Sequence, residues 1–479
     1  MSSSVAKNTA FMTVASILQK VISFGYFAII ARNIGAEDTG KYFFALSFTT
    51  IFVVFVDLGL TNVLVREGAK IKEKIQDYFS TILFAKFLLG IITYIVAIIV
   101  INVMGYSSET RYLVYISGIT MLLDSFHLSM YGTLRALGNL KYEAIGIVGS
   151  QLVTCILGSL FLWMKLPLVY LMVAFFASSA LNVLFAYIIV HHVYHIRVRL
   201  QYDKAVLKYI VPIVIPFALA GIFGRVYSYI DSILLSKLAG DTVVGWYSIP
   251  YKITYAFQFI PMALVAALYP RFSEYFIHDK EKLHYVFHQG IKYLLLVSLP
   301  LAVGISLLSR DLVLFLFTHE YINSIVPLEI LMIGMVFGYL NFHIGALLNA
   351  CNKQVTQTVL VGIVMVVNIV LNIVLIPRYG ATGAAFAAVL GNVGLMSMSL
   401  FIVPKIIAFN FNFLLSTIVR LGFSVTIMGA IVWYTNMYIG LIPAILAGVV
   451  SYMGMLFIVR AVKSTQIKEM LYLIRKEYI

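Results

Sequence analysis

Residues 78–103 read YFSTILFAKFLLGIITYIVAIIVINV, an apolar stretch with one charged side chain, Lys86. A helix needs about 20 mostly apolar residues to cross the hydrocarbon core of a bilayer. This stretch meets that length and is bounded by polar residues. It therefore predicts a membrane-spanning helix.

Similar stretches recur along the chain and are separated by short polar turns. They lie at 9–31, 42–65, 78–103, 111–134, 143–163, 167–190, 209–236, 246–269, 288–308, 325–350, 355–376, 382–404, 412–435 and 440–462. The pattern predicts an all-α integral membrane protein with about 14 transmembrane helices.

Composition and charge agree with a membrane protein. Of the 479 residues, 62% are hydrophobic and 11% are charged, which no soluble globular domain approaches.

About two thirds of the 34 Lys and Arg residues fall in loops that are cytoplasmic if the N-terminus is inside. We therefore predict an inner or plasma membrane location, with both termini cytoplasmic. The net charge of +14 is explained by this asymmetry and by contact with anionic membrane lipids, so it does not indicate nucleic acid.

An internal repeat divides the chain. Residues 35–42 read GAEDTGKY and residues 240–247 read GDTVVGWY, which share the pattern GxxxxGxY. Since six spans separate the two motifs, the halves begin on the same side of the membrane and form parallel repeats. The predicted organisation is an N-lobe of six helices at 1–190, a cytoplasmic linker at 191–208, a six-helix C-lobe at 209–404, spans 13 and 14 at 405–462, and an interfacial helix at 463–479.

Several motifs resemble those of the polysaccharide and lipid-linked oligosaccharide flippases (the O-antigen and capsule type translocases) of the multidrug/oligosaccharidyl-lipid/polysaccharide exporter superfamily. They are 30–35 (IARNIG) running into Gly40-Lys-Tyr42, 57–60 (DLGL) followed by Arg66, Asp231 ahead of Gly245-Trp-Tyr247, and 377–385 (PRYGATGAA). The resemblance implies two six-helix lobes, alternating access and a cationic central cavity. It also implies a polyprenyl-(di)phosphate-linked oligosaccharide as substrate, which is moved to the outer leaflet for cell-surface polysaccharide or glycan biosynthesis. Proteins of polysaccharide assembly are the expected partners.

Charged residues inside the spans are the candidate site, because each costs a few kcal/mol if it faces lipid. A polyprenyl diphosphate is anionic, so cations can replace its lost hydration. The candidate cations of the cavity are Lys20, Arg225, Arg135, Lys86 and Lys252.

The intramembrane acids are candidates for proton or sodium coupling or for buried pairs, and these alternatives stay open. They are Asp57, Asp124 and Asp231. Asp57 and Lys86 both lie roughly 12 Å above the cytoplasmic ends of their spans, so they could pair. Asp231 and Lys252 also share a depth and could pair. Asp124 is the acid nearest in depth to Lys20.

Span seven contains the helix-distorting residues Pro212, Pro216, Gly221 and Gly224. Proline removes a backbone hydrogen bond and bends a helix. These residues are candidate hinges for rocking one lobe against the other, with a static kink as the alternative.

Three other functions are alternatives for a membrane protein of this kind. A peptidoglycan-precursor lipid flippase and a cation-coupled multidrug exporter share the superfamily. A membrane oligosaccharide polymerase is disfavoured, because the outer loops are short and no catalytic motif is found in them. We therefore expect no enzymatic activity, no catalytic residues, no cofactor and no metal site.

Overall fold

The computed structural model describes residues 2–459, with side chains described from residue 11 onward. The predicted interfacial helix at 463–479 lies outside the described residues. Within the described range all regular secondary structure is helical. The helices are α1 (Ser2–Asp57), α2 (Leu60–Lys70), α3 (Ile75–Val103), α4 (Ser108–Ala136), α5 (Lys141–Trp163), α6 (Val169–Ile188), α7 (Lys204–Ala239), α8 (Asp241–Ala256), α9 (Phe259–His278), α10 (Lys280–Leu307), α11 (Ser309–Leu316), α12 (Ile325–Ala350), α13 (Gln354–Leu400), α14 (Phe411–Tyr438) and α15 (Leu441–Ile458).

Twelve helical segments among the described residues are long and apolar enough to cross a membrane. Two of them, Phe11–Asp57 and Gln354–Lys405, are long enough for two crossings. Each contains a glycine with non-helical backbone angles: Gly35 has φ 78° and ψ 176°, and Gly380 has φ 53° and ψ −130°. Divided at these glycines, the twelve segments become fourteen, so the predicted all-α membrane fold is confirmed.

Helix α3 shows how the apolar surface is distributed. Leu88, Ile92, Ile95 and Ile99 recur at helical spacing, and each is at least 45% exposed. Such a continuous apolar stripe is unfavourable in water and suits contact with lipid chains. Lys86, on the same helix, is 1% exposed. The helix therefore presents one face to lipid and buries its charge on the other.

The described chain forms two compact units, formed by 1–259 with 358–384 and by 260–357 with 385 onward. In the first unit, α1 packs against α4, α5, α7 and α8. In the second, α10 packs against α12 and α14, and α14 packs against α15. The lobe boundaries read from the sequence stay a prediction.

Candidate functional site

Two of the predicted cavity cations line one small cleft in the first unit. Lys20 on α1 and Lys252 on α8 share it with Tyr255, and its remaining lining residues are Gln19, Ser23, Phe24 and Ala256. The cleft has a volume of about 60 Å³, whereas a bound water needs only about 10–15 Å³. It therefore has room for several water-sized groups beside two ammonium groups.

Helical spacing explains why these side chains meet. On α1, residues 23 and 24 follow residues 19 and 20 by one helical turn. On α8, Tyr255 follows Lys252 by three residues. Residues three or four apart share a face of a helix. Because α1 packs against α8, the two faces enclose the cleft.

Lys20 and Lys252 are both held by aromatic rings. The Lys20 Nζ lies 4.0 Å from the centroid of the Tyr255 ring and donates a 3.0 Å hydrogen bond to the Tyr255 carbonyl. The Lys252 Nζ lies 5.3 Å from the ring of Phe27 and 5.7 Å from that of Phe43. Among residues 11–459, no Asp or Glu forms an ion pair with either lysine.

The repeated GxxxxGxY motifs pack directly against each other in the same unit. A Cβ atom at Gly40 would overlap the carbonyl of Asp241, and a Cβ at Gly245 would overlap the carbonyl of Ala36. The contact is reciprocal, since the second glycine of each motif meets the backbone of the other. Glycine is therefore required at both positions by the close approach of two backbones.

Asp231 lies in a buried polar cluster rather than beside Lys252. Its carboxylate accepts hydrogen bonds from the Tyr247 hydroxyl at 3.1 Å and the Asn372 side-chain amide at 2.8 Å. Asp231 is 6% exposed, and Asn368 and Asn372 are fully buried. The pairing with Lys252 that the matching depths allowed is therefore not found among the described residues.

Asp57 and Lys86 do form an ion pair. The Lys86 Nζ lies 2.5 Å from the Asp57 carboxylate and donates to the Thr61 hydroxyl at 2.7 Å. The same carboxylate accepts from the backbone N–H of Gly59, where the chain passes from α1 into α2. Lys86 is thus neutralised within the protein, and the pair fixes the start of α2.

Arg135 is also neutralised. Its guanidinium binds Glu143 through two parallel hydrogen bonds of 2.8 Å, and the Glu143 side chain is 4% exposed. Bidentate geometry of this kind is strong and directional. The ion-pair partner Glu143 was not anticipated from the sequence.

Asp124 is bound by residues other than Lys20. His127 Nε2 lies 3.1 Å from its carboxylate, and the Ser179 hydroxyl donates to the same oxygen.

Arg225 is exposed and interacts electrostatically with Tyr255, so it lies near the cleft.

The predicted hinge residues Pro212, Pro216, Gly221 and Gly224 lie inside α7, which is helical throughout. Their predicted role as a hinge stays a prediction.

Known protein families match this chain over most of its length. A family model described as polysaccharide biosynthesis protein matches residues 5–276, and a second model, MatE, matches residues 216–374. The structure resembles that of the lipid II flippase MurJ in an inward closed conformation, with a TM-score of 0.75 and 17% identity over 93% of this chain and 97% of that one. At that identity the likeness establishes the fold.

Two relatives carry names that describe transport or polysaccharide synthesis. The capsular polysaccharide biosynthesis protein CapF of Staphylococcus aureus is 25% identical over 80% of this chain and 94% of its own length. A putative O-antigen transporter of Shigella flexneri is 23% identical over the same shares of the two chains. A family model matches more than half of the residues of this chain, so the chain belongs to the polysaccharide biosynthesis protein family.

Proposed function

We propose that this protein flips a polyprenyl-(di)phosphate-linked oligosaccharide from the cytoplasmic to the outer leaflet by alternating access. The product would serve cell-surface polysaccharide or glycan biosynthesis. The proposal includes an inner or plasma membrane location, cytoplasmic termini and cooperation with proteins of polysaccharide assembly. The named functions of its relatives, capsule synthesis and O-antigen transport, support this class of substrate.

The observation that carries the proposal is the cleft with Lys20 and Lys252. Two ammonium groups face one space, and no carboxylate neutralises them among the described residues. A half-buried lysine inside a span and without a counter-ion is unfavourable, so an anion that enters the cleft would reduce that unfavourable free energy. A diphosphate is such an anion, and it regains there the hydrogen bonds it loses on leaving water.

The size of the cleft suggests which part of the substrate it receives. About 60 Å³ accommodates a phosphate-sized group but not an oligosaccharide. We therefore assign the cleft to the charged linkage of the lipid. Arg225, which is exposed and near Tyr255, is a further cation for the same role.

Lys86 and Arg135 have a different role in this proposal. Each is held by a carboxylate within the protein. Breaking such a pair to bind substrate would leave a half-buried Asp57 or a buried Glu143 unpaired, which is unfavourable by several kcal/mol. We therefore assign both cations to structural pairs and leave Lys20, Lys252 and Arg225 as substrate ligands.

Energy coupling belongs to the proposal as well. Asp231 is buried, and its partners Tyr247 and Asn372 are neutral, so its charge is not cancelled by either. A carboxylate of this kind favours uptake of a proton or a sodium ion. Asp57 and Asp124 are less suited, because Lys86 and the His127–Ser179 pair already bind them.

Two alternatives within the superfamily have support. The fold similarity to MurJ favours a peptidoglycan-precursor lipid, which also carries a diphosphate. The MatE match at 216–374 favours a cation-coupled multidrug exporter. A site for organic cations would present carboxylates and aromatic rings, whereas this cleft presents ammonium groups, so we favour an anionic substrate.

The first test is to deplete the protein in its native cell and measure lipid-linked oligosaccharide facing the cytoplasm. We expect this lipid to accumulate, and wild-type protein to reverse the accumulation. Lys20→Ala and Lys252→Ala should not reverse it. Lys237→Ala is the matched control, because Lys237 also lies in the first unit but binds the Met104 carbonyl away from the cleft.

Unchanged lipid-linked sugars together with increased sensitivity to amphipathic cationic drugs would replace this proposal with the drug exporter. Accumulation of the peptidoglycan precursor alone would indicate the alternative lipid substrate.

A further inference from the structure

Four of the buried or half-buried cations in the first unit fall into two groups according to what holds them. Lys86 and Arg135 lie against carboxylates. Lys20 and Lys252 lie against aromatic rings. The second pair, and not the first, lines the cleft.

The two kinds of partner have different electrostatic consequences. A carboxylate cancels the charge of a lysine, so the pair has little attraction left for an anion. An aromatic ring attracts the ammonium group through its quadrupole and carries no net charge. A lysine on a ring is therefore stabilised in a medium of low dielectric constant while it remains a full positive charge.

We infer that Tyr255, Phe27 and Phe43 are positioning residues that hold Lys20 and Lys252 charged and oriented toward the phosphate of an anionic lipid. This inference rests on the proposed function and identifies how its site is built. Phe27 and Phe43 are not among the lining residues of the cleft, and Tyr255, which lines it, acts in this scheme through Lys20. The three rings replace the carboxylates that hold the other buried cations.

Tyr255 holds Lys20 in two ways at once. The ring lies 4.0 Å from the ammonium group, and the carbonyl accepts a 3.0 Å hydrogen bond. Helix α8 ends at the next residue, Ala256, so this carbonyl lies in its last turn. A cation is favoured there by the negative end of the helix dipole. Substituting the side chain removes the ring and leaves the carbonyl.

Tyr255 is the best position for a test, because its side chain is 40% exposed and its replacement leaves no large cavity. The variants are Tyr255→Phe, which retains the ring, and Tyr255→Leu, which removes it. The full-length protein in lipid nanodiscs is titrated with inorganic pyrophosphate and with farnesyl diphosphate. Thermal unfolding of each variant is recorded in parallel.

We expect Tyr255→Phe to bind both probes within about twofold of wild type. Tyr255→Leu should weaken binding by about 2- to 30-fold, the range that corresponds to the loss of one cation–π contact. In a Lys20→Gln background, Tyr255→Leu should have no further effect, because the ring then has no cation to hold. The apparent KM for flipping should rise more than kcat falls.

The outcomes separate the inference from the proposed function. If Lys20→Gln abolishes binding but Tyr255→Leu behaves like Tyr255→Phe, the positioning role is refuted and the cationic site stands. Additive losses in the Lys20→Gln background would also refute it, since a general packing role predicts additivity. If neither Lys20→Gln nor Tyr255→Leu changes binding, the cleft is not the phosphate site.

Discussion

The reciprocal glycine contact between α1 and α8 predicts a large effect from a single methyl group. In Gly245→Ala, the new Cβ would overlap the Ala36 carbonyl, which belongs to a helix backbone and cannot rotate away. Overpacking of this kind costs about 3 kcal/mol at the upper end of its usual range. Alanine is favoured over glycine in a helix by about 1 kcal/mol. The net loss is about 2 kcal/mol.

A loss of about 2 kcal/mol changes an equilibrium by about 30-fold. It should lower the population of any conformation in which the two motifs touch. We expect Gly245→Ala to lower the thermal unfolding midpoint or to open this contact. Opening is measured with a membrane-impermeant maleimide on a cysteine at Thr39, which is fully buried next to Gly40, after Cys155 and Cys351 are replaced by serine.

Gly25→Ala is the matched control, because Gly25 lies on α1 in the same unit and has no atom within 4 Å of a new Cβ. It should leave labelling unchanged and raise stability slightly. Gly40→Ala should reproduce the effect of Gly245→Ala, because its Cβ meets the Asp241 carbonyl. If Gly245→Ala unfolds and labels as the Gly25 control does, the close approach does not exist in the membrane.

Three further predictions concern charged residues. Lys86→Met should lower the free energy of unfolding, measured by chemical unfolding, by about 3 kcal/mol, because it leaves Asp57 without its cation. Adding Asp57→Asn should recover part of that loss. Asp231→Asn should retain folding but make flipping in vesicles independent of an imposed proton or sodium gradient, and unaltered gradient dependence would remove Asp231 from energy coupling. Glu67, between the membrane spans, has a 1% exposed side chain. Burial there raises its pKa, but hydrogen bonds from Lys70 and Tyr209 outweigh burial and hold the pKa below its usual value of 4.5. The ionised Glu67 therefore stabilises the fold above about pH 4.5, and this stabilisation is lost as the pH falls below that value. In Glu67→Gln, the free energy of unfolding should depend less on pH in the acid range.

The sequence was sufficient for the fold because hydropathy records lipid contact directly. Apolar stretches and polar turns placed the spans, and the turn predicted around Gly35 coincides with a break in the helix. That break is shorter than a polar loop, because a single residue at positive φ lets the helix resume at once. The length of the polar stretch in the sequence could not distinguish a break of one residue from a polar loop.

Depth arithmetic identified the pair of Asp57 and Lys86 but failed for Asp231 and Lys252, which lie inside spans as well and do not pair among the described residues. Asp57 and Lys86 are at matching depths and form the pair. Glu143 was missed as the partner of Arg135 because it lies at the end of a span, across the short turn between α4 and α5. A charge of opposite sign just beyond such a turn is a signal that could have identified it.

Neutral partners could not be found by counting charges. Asp231 binds Tyr247, and Lys20 binds Tyr255, but tyrosine is neutral at pH 7 and is therefore absent from a count of charged residues. One signal was available, since Tyr247 ends the GxxxxGxY motif of the second half.

The cleft and the glycine contact both lie between α1 and α8, on opposite sides of the helix break at Gly35, and this placement offers a link between binding and conformation. Lys20 precedes Gly40 on α1, and Lys252 follows Gly245 on α8. An anion bound between the two lysines would attract both helices, while a side chain at either glycine would push them apart. Because packed helices have discrete arrangements rather than a continuous range of separations, we expect a change at one position to alter the packing at the other. In the proposed mechanism, the charge of the substrate and the absence of a Cβ at Gly40 and Gly245 would thus both act on the approach of α1 to α8.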